Sequence, residues 1–161
     1  VRANCAGSVE AALAEFGRLD ALCNVAGVMY PSATPEMSDE AWDLTMKVNL
    51  EAPFFLIRAS LPHLLKVEGA IVNVTSCAAF QGQAYFAAYC AAKSGLTNMT
   101  KALAMEYMKE PIRINAVAPG GMMLRGPCGS NSMAGTCAAC GYQKHNVSPA
   151  ISGYTASFGE G

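Results

Sequence analysis

The chain has 161 residues, about the length of one domain, which allows one hydrophobic core rather than two. Hydrophobic residues at 52% against 14% charged exclude a disordered linker. The formal net charge is −1, with basic residues scattered singly (Lys101, Lys109, Arg113), which argues against nucleic acid or an anionic membrane as partner.

Ser8 is positioned to cap a helix through Val9, Ala12, Leu13 and Phe16, with Gly17 as its left-handed stop. Leu19 to Val25 is a short apolar run closed by Ala26-Gly27 and predicts a buried strand ending in a tight loop. Ser38, followed by Asp39 and Glu40, opens a helix over 38–65 whose apolar positions 42, 46, 50, 54, 57, 61 and 64 keep a three-to-four spacing, so it should lie against a sheet. Ala70 to Val74 reads as a second strand. An Ala/Gly/Gln-rich loop follows, then a helix from Tyr89 to Tyr107 through Leu96, Met99 and Leu103, broken at Pro111. Ile112 to Val117 is a third strand, ended by Pro119-Gly120-Gly121.

The alternation of strand and helix predicts the doubly wound α/β class, a parallel sheet with right-handed crossovers. From Gly121 the periodicity stops, so the chain divides into an α/β domain over 1–120 and an irregular or poorly ordered tail over 121–161. The longest apolar stretches, such as Ala52 to Ile57, fall far short of the ~18 residues of a membrane span, and no secretory leader is visible. Seven cysteines, an odd number, the first four among apolar residues, fit a reduced, cytoplasmic compartment. The chain opens on Val1 rather than Met, which suggests a piece of something longer.

Tyr89 and Lys93 stand four apart and share one helix face. Chance alone supplies about 0.2 such pairs in this composition, and only ~0.015 once a serine thirteen residues earlier, Ser76, is also required. A phenol titrates near ~10 and must lose roughly three units, about 4 kcal/mol, to serve as an acid/base at neutral pH. An ammonium ~4 Å from the phenolate at an effective dielectric of about 20 supplies about that much. Lys93 is that cation, and Ser76, just past the carboxyl end of its strand, is placed to hydrogen-bond a substrate oxygen. Pro53 has no N–H, so the carbonyl of Asn49 lacks its helical partner and a water can take the place.

Asn24-Val-Ala26-Gly27, Val48-Asn49-Leu50, Ile71-Val-Asn-Val-Thr-Ser76, Tyr89-Cys-Ala-Ala-Lys93 and Asn115-Ala-Val-Ala-Pro119-Gly120, in this order, resemble the short-chain dehydrogenase/reductase family over about residues 8–123. The resemblance implies hydride transfer between NAD or NADP and a carbonyl or secondary alcohol. Tyr89 would move the proton, Lys93 would lower its pKa and hold the nicotinamide ribose, Ser76 would orient the substrate, and Asn49 would complete a proton relay through water. Asn24, Ala26 and Gly27 resemble the cofactor-side loop, and Pro119 and Gly120 the segment lining the nicotinamide. The helices over 38–65 and 89–109 would form a homo-oligomer interface. Plainer roles exist for several of these: turn glycines at 27 and 120, backbone satisfaction by Asn49, pocket wall or core for Tyr85, packing for Trp42.

The sequence also departs from the family. No glycine-rich, pyrophosphate-cradling turn occurs, which at ~30 residues per βαβ unit corresponds to a missing opening on the order of 60–90 residues. The choice between NAD and NADP is unreadable without it, and the strand over 19–25 is left as a bare edge. Leu124 stands where the family usually places a threonine. Cys137-x-x-Cys140, with Cys128 and His145, has half the spacing of a zinc knuckle, and no metal site is assigned on it. The alternative to an enzyme is a catalytically inactive, truncated relative that keeps only the helix-mediated subunit interface.

Overall fold

The computed structural model describes residues 1–120 and the backbone of two short strands beyond them. The chain runs α1 (Arg2–Phe16), β1 (Ala21–Asn24), α2 (Asp39–Met46), α3 (Ala52–Leu64), β2 (Ala70–Val74), α4 (Ala87–Glu106) and β3 (Arg113–Val117), then β4 (Met123–Arg125) and β5 (Asn131–Met133). The three longer strands form one parallel sheet in the order β1-β2-β3, and β4 and β5 pair antiparallel. The expected doubly wound α/β architecture is present as a partial, three-stranded unit. The short β4–β5 pair interrupts the tail expected to be irregular. The rest of 121–161, including Cys128, Cys137, Cys140 and His145, lies outside the described residues.

Register fixes what each face of the sheet carries. Leu22, Ile71 and Ile114 are partners across the three strands and so point to one side. There Ile71 and Ile114 join Ile57, Leu61 and Leu64 of α3 in the core, with Leu22, Met99 and Leu103 packed against it. Each fully buried aliphatic side chain contributes about 1.5–3 kcal/mol relative to exposure. The alternate residues, Cys23, Val72, Val74 and Val117, face the other way and are half-buried or exposed. Among the described residues β1 has one strand neighbour, β2.

Two helix boundaries differ from the sequence reading. Ser8 is not a cap: α1 begins at Arg2, and Ser8 Oγ donates to the Asn4 carbonyl one turn back at 2.9 Å. Gly17 does end the helix, at φ 73°, with its N–H donated to Leu13 O. The helix expected over 38–65 is real but discontinuous. Ser38 caps it, its Oγ accepting from Ala41 N–H at 3.2 Å, while Lys47–Glu51 forms a π-turn in which Ala52 N–H reaches back five residues to Lys47 O. Pro53 follows, with no N–H to offer, and α3 resumes beyond it. α1 packs on α3, with Arg2 over the Phe55 ring at 5.0 Å.

Candidate active site

Three strand ends and one helix converge at the carboxyl edge of the sheet, where doubly wound folds bind ligands. The exits of β2 and β3 are strapped together: Thr75 N–H donates to Val117 O at 2.8 Å and Cys77 N–H to Pro119 O at 2.9 Å. This lays Pro119-Gly120 alongside Ser76-Cys77. Ser76 Oγ accepts from Ala78 N–H at 3.1 Å, capping the short turn Cys77–Ala79, and its own proton is left to donate. Ser94 on α4 donates its hydroxyl to Ala79 O at 2.9 Å and ties that turn to the helix bearing Tyr89 and Lys93. Sequence reasoning missed Ser94. Its only signal is a small hydroxyl residue directly after the lysine.

Lys93 is buried, and its ammonium donates to Val74 O at 2.8 Å, two residues before Ser76. The same nitrogen lies 5.8 Å from the centre of the half-buried Tyr89 ring, so the pair shares one face as its spacing requires. Burial pushes the Lys93 ammonium below the usual lysine range.

Asn49 is fully buried in the π-turn. Its amide donates to Val28 O at 2.8 Å and Thr45 O at 2.9 Å, and its Oδ1 accepts from Val28 N–H at 3.2 Å. The side chain is committed to holding the loop after β1. Gly95 on α4 lets that helix pack closely on the π-turn, because a Cβ there would come within 3.1 Å of Leu50 Cδ2. Gly27 completes the group. A Cβ on it would stand 2.9 Å from Asn49 Oδ1 and 3.5 Å from Lys93 Nζ, so glycine lets the loop after β1 lie directly against both side chains.

Asn24, expected on the cofactor side, lies within the sheet layer. It is buried on the α3–α4 side of the sheet, where its amide donates to Asn73 Oδ1 at 2.8 Å, while Asn73 donates to Thr100 Oγ1 at 2.9 Å. Thr100 in turn donates to Leu96 O at 2.7 Å. A buried amide in an apolar layer needs such partners, and the asparagines inside the runs Leu22-Cys-Asn24 and Ile71-Val-Asn73 were the signal for this chain. Ala26 and Gly120 are exposed and Pro119 half-buried on the same edge. Tyr85 is exposed rather than core, and Trp42 is also exposed. No group of potential metal ligands occurs among the described residues.

Comparison with known proteins identifies the family. A family model described as short chain dehydrogenase matches residues 1–125. The short chain dehydrogenase adrF of Penicillium rubens is 44% identical over 116 residues, covering 71% of this chain and 46% of that protein. The 2,5-dichloro-2,5-cyclohexadiene-1,4-diol dehydrogenase LinX of Sphingobium indicum is 38% identical over 116 residues, with the same coverage. The 2-dehydro-3-deoxy-D-gluconate 5-dehydrogenase of Escherichia coli is 37% identical over 116 residues, again covering 71% and 46%. The chain thus spans about half the length of the curated relatives it matches.

Proposed function

The chain belongs to the short-chain dehydrogenase family, and on that premise we propose that the protein is an oxidoreductase acting between NAD or NADP and a carbonyl or secondary alcohol. When bound, the nicotinamide supplies the hydride to the carbonyl carbon, or accepts it in the reverse direction. Tyr89 gives the carbonyl oxygen its proton as the alcohol forms. Ser76 donates its free hydroxyl proton to that oxygen and fixes the substrate's orientation. Lys93, held by Val74 O, stabilises the charge that develops on the Tyr89 oxygen and has two further N–H donors for a ribose hydroxyl. The backbone carbonyl of Asn49 holds a relay water that returns the proton.

The observation that carries this reading is the buried Lys93 ammonium, fixed by Val74 O at 2.8 Å and lying 5.8 Å from the centre of the Tyr89 ring. Ala26, Gly27, Pro119 and Gly120 on the same edge would wall the nicotinamide end of the cofactor. The sequence has no glycine-rich turn to cradle the pyrophosphate. The relatives' names supply one diol and one dehydro-deoxy-gluconate as small molecules those proteins act on, which supports the alcohol/carbonyl class.

The test is Tyr89→Phe in the protein as its own cell makes it, with turnover expected to fall by roughly 10²–10⁴-fold. An unchanged rate overturns the assignment.

A second reading is an inactive relative that associates through α2–α3 and α4 with a longer homologue. A thermal-shift titration with both nicotinamide nucleotides separates the two, because stabilisation by either one rejects the inactive form.

A further inference from the structure

The loops around Ser76 and Tyr89 carry an apolar character that the mechanism does not use. Val25, Met29, Tyr30, Phe80 and Tyr85 are all large hydrophobic residues left exposed, and all lie in the loops beyond the carboxyl ends of β1 and β2. Charge is missing from the same loops. Residues 25–35, 75–92 and 114–120 contain no Asp, Glu, Lys, Arg or His. These segments themselves offer a carboxylate or phosphate no cation, and Lys93 beside them is buried against Val74 O.

The loops are also held in place. Asn49 brackets Val28 through both its N–H and its carbonyl. Four residues on, Ser32 N–H donates to Tyr85 O at 2.8 Å and pins the loop after β1 to the one that joins Ser76 to Tyr89. Tyr85 pays for that link with a left-handed backbone at φ 70°, uncommon for a bulky residue and kept only where the surroundings impose it. The residue stays 55% exposed, two positions before the helix that bears Tyr89. A rigid, uncharged, aromatic rim beside a polar centre is the usual make-up of a site for an apolar small molecule.

We propose that these loops wall the substrate site, that the substrate is a neutral, apolar, ring-bearing ketone or secondary alcohol, and that Tyr85 is a specificity-determining residue. This rests on the oxidoreductase reading above.

The test uses two probes of matched shape, 4-methylcyclohexanone and 4-oxocyclohexanecarboxylate, with binding to the whole protein followed by saturation-transfer NMR. The neutral ketone is expected to bind at least about tenfold more tightly. Equal or tighter binding of the carboxylate, or binding of neither, overturns the proposal. Tyr85→Gly removes the ring while suiting the left-handed backbone, so thermal stability should hold or rise while the neutral ketone binds about tenfold more weakly. Tyr85→Asn, also tolerant of that backbone, repeats the measurement. Unchanged ketone binding in both variants removes Tyr85 from the wall. Tyr89→Phe keeps the outcomes distinguishable. It should bind 4-methylcyclohexanone normally without turning it over, so full turnover by Tyr89→Phe defeats the redox reading, whereas a lost preference for the neutral probe defeats only the substrate class.

Discussion

The two faces of the sheet have similar apolar sequences and different fates. On one, Leu22, Ile71 and Ile114 meet the inner sides of α3 and α4, and the polar residues that enter the layer are paired into the chain Asn24–Asn73–Thr100. On the other, Cys23, Val72, Val74 and Val117 remain half-buried or exposed among the described residues. Strands of a parallel sheet normally read as continuous hydrophobic runs because helices cover both sides. Strand composition therefore records what a sheet is built to bury, whereas burial records what is packed on it. The site belongs to the packed side, since Lys93 and Asn49 are buried there and take their positions from it.

The largest test of this contrast is truncation of one core residue on each face. Leu64→Ala should cost about 2–5 kcal/mol in denaturant unfolding, and Val72→Ala under about 1 kcal/mol, the usual scale away from a sealed core. Equal losses would show that the second face is also packed in solution. Next comes the polar chain, where Asn73→Ala strands the Asn24 amide and should cost about 1–3 kcal/mol. Asn115→Ala, half-buried on the open side, serves as its control and should cost less.

Lys93 gives a smaller, pH-dependent effect. Its ammonium titrates below the ordinary lysine value near ~10.4, so between the lowered value and that one the unfolded chain holds more protons. Folded stability therefore rises with pH across this window. Lys93→Met removes the contribution, and the variant's stability relative to the parent should be most favourable at neutral pH and decline toward pH 10.5. The reverse trend in a series of thermal midpoints would contradict burial as the cause. The smallest effect is expected at Ser60, whose fully buried hydroxyl on α3 has no hydrogen-bond partner. Ser60→Ala should be neutral or stabilising by up to about 1 kcal/mol in the same unfolding assay.

Features written in local chemistry were legible from the sequence. β2 occupies the residues its apolar run marks, Ser38 caps, and Gly17 stops its helix because one residue's backbone decides each. The Tyr89–Lys93 pairing was legible because four residues of helix fix it. The links that depend on distant partners were not. Asn24 bonds a residue 49 positions away, and its interior placement follows from that partner rather than from its own loop. Ser8 resembles a cap, yet a hydroxyl serves equally well bonded to the turn before it. β4 and β5, three residues each, are too short to carry a periodic signal.

The π-turn at Lys47–Glu51 acts as a phase shifter. One additional residue in a helical turn rotates everything downstream by about 100° relative to an unbroken α-helix, so α2 and α3 present different stripes although their apolar spacing is continuous. That offset separates Trp42 of α2, which faces solvent, from Ile57, Leu61 and Leu64 of α3, which face the sheet. Deleting a single residue between 47 and 51 would restore regular winding and swing Asn49 away from Val28, disconnecting the loop after β1 without altering any side chain in the Ser76–Tyr89–Lys93 group.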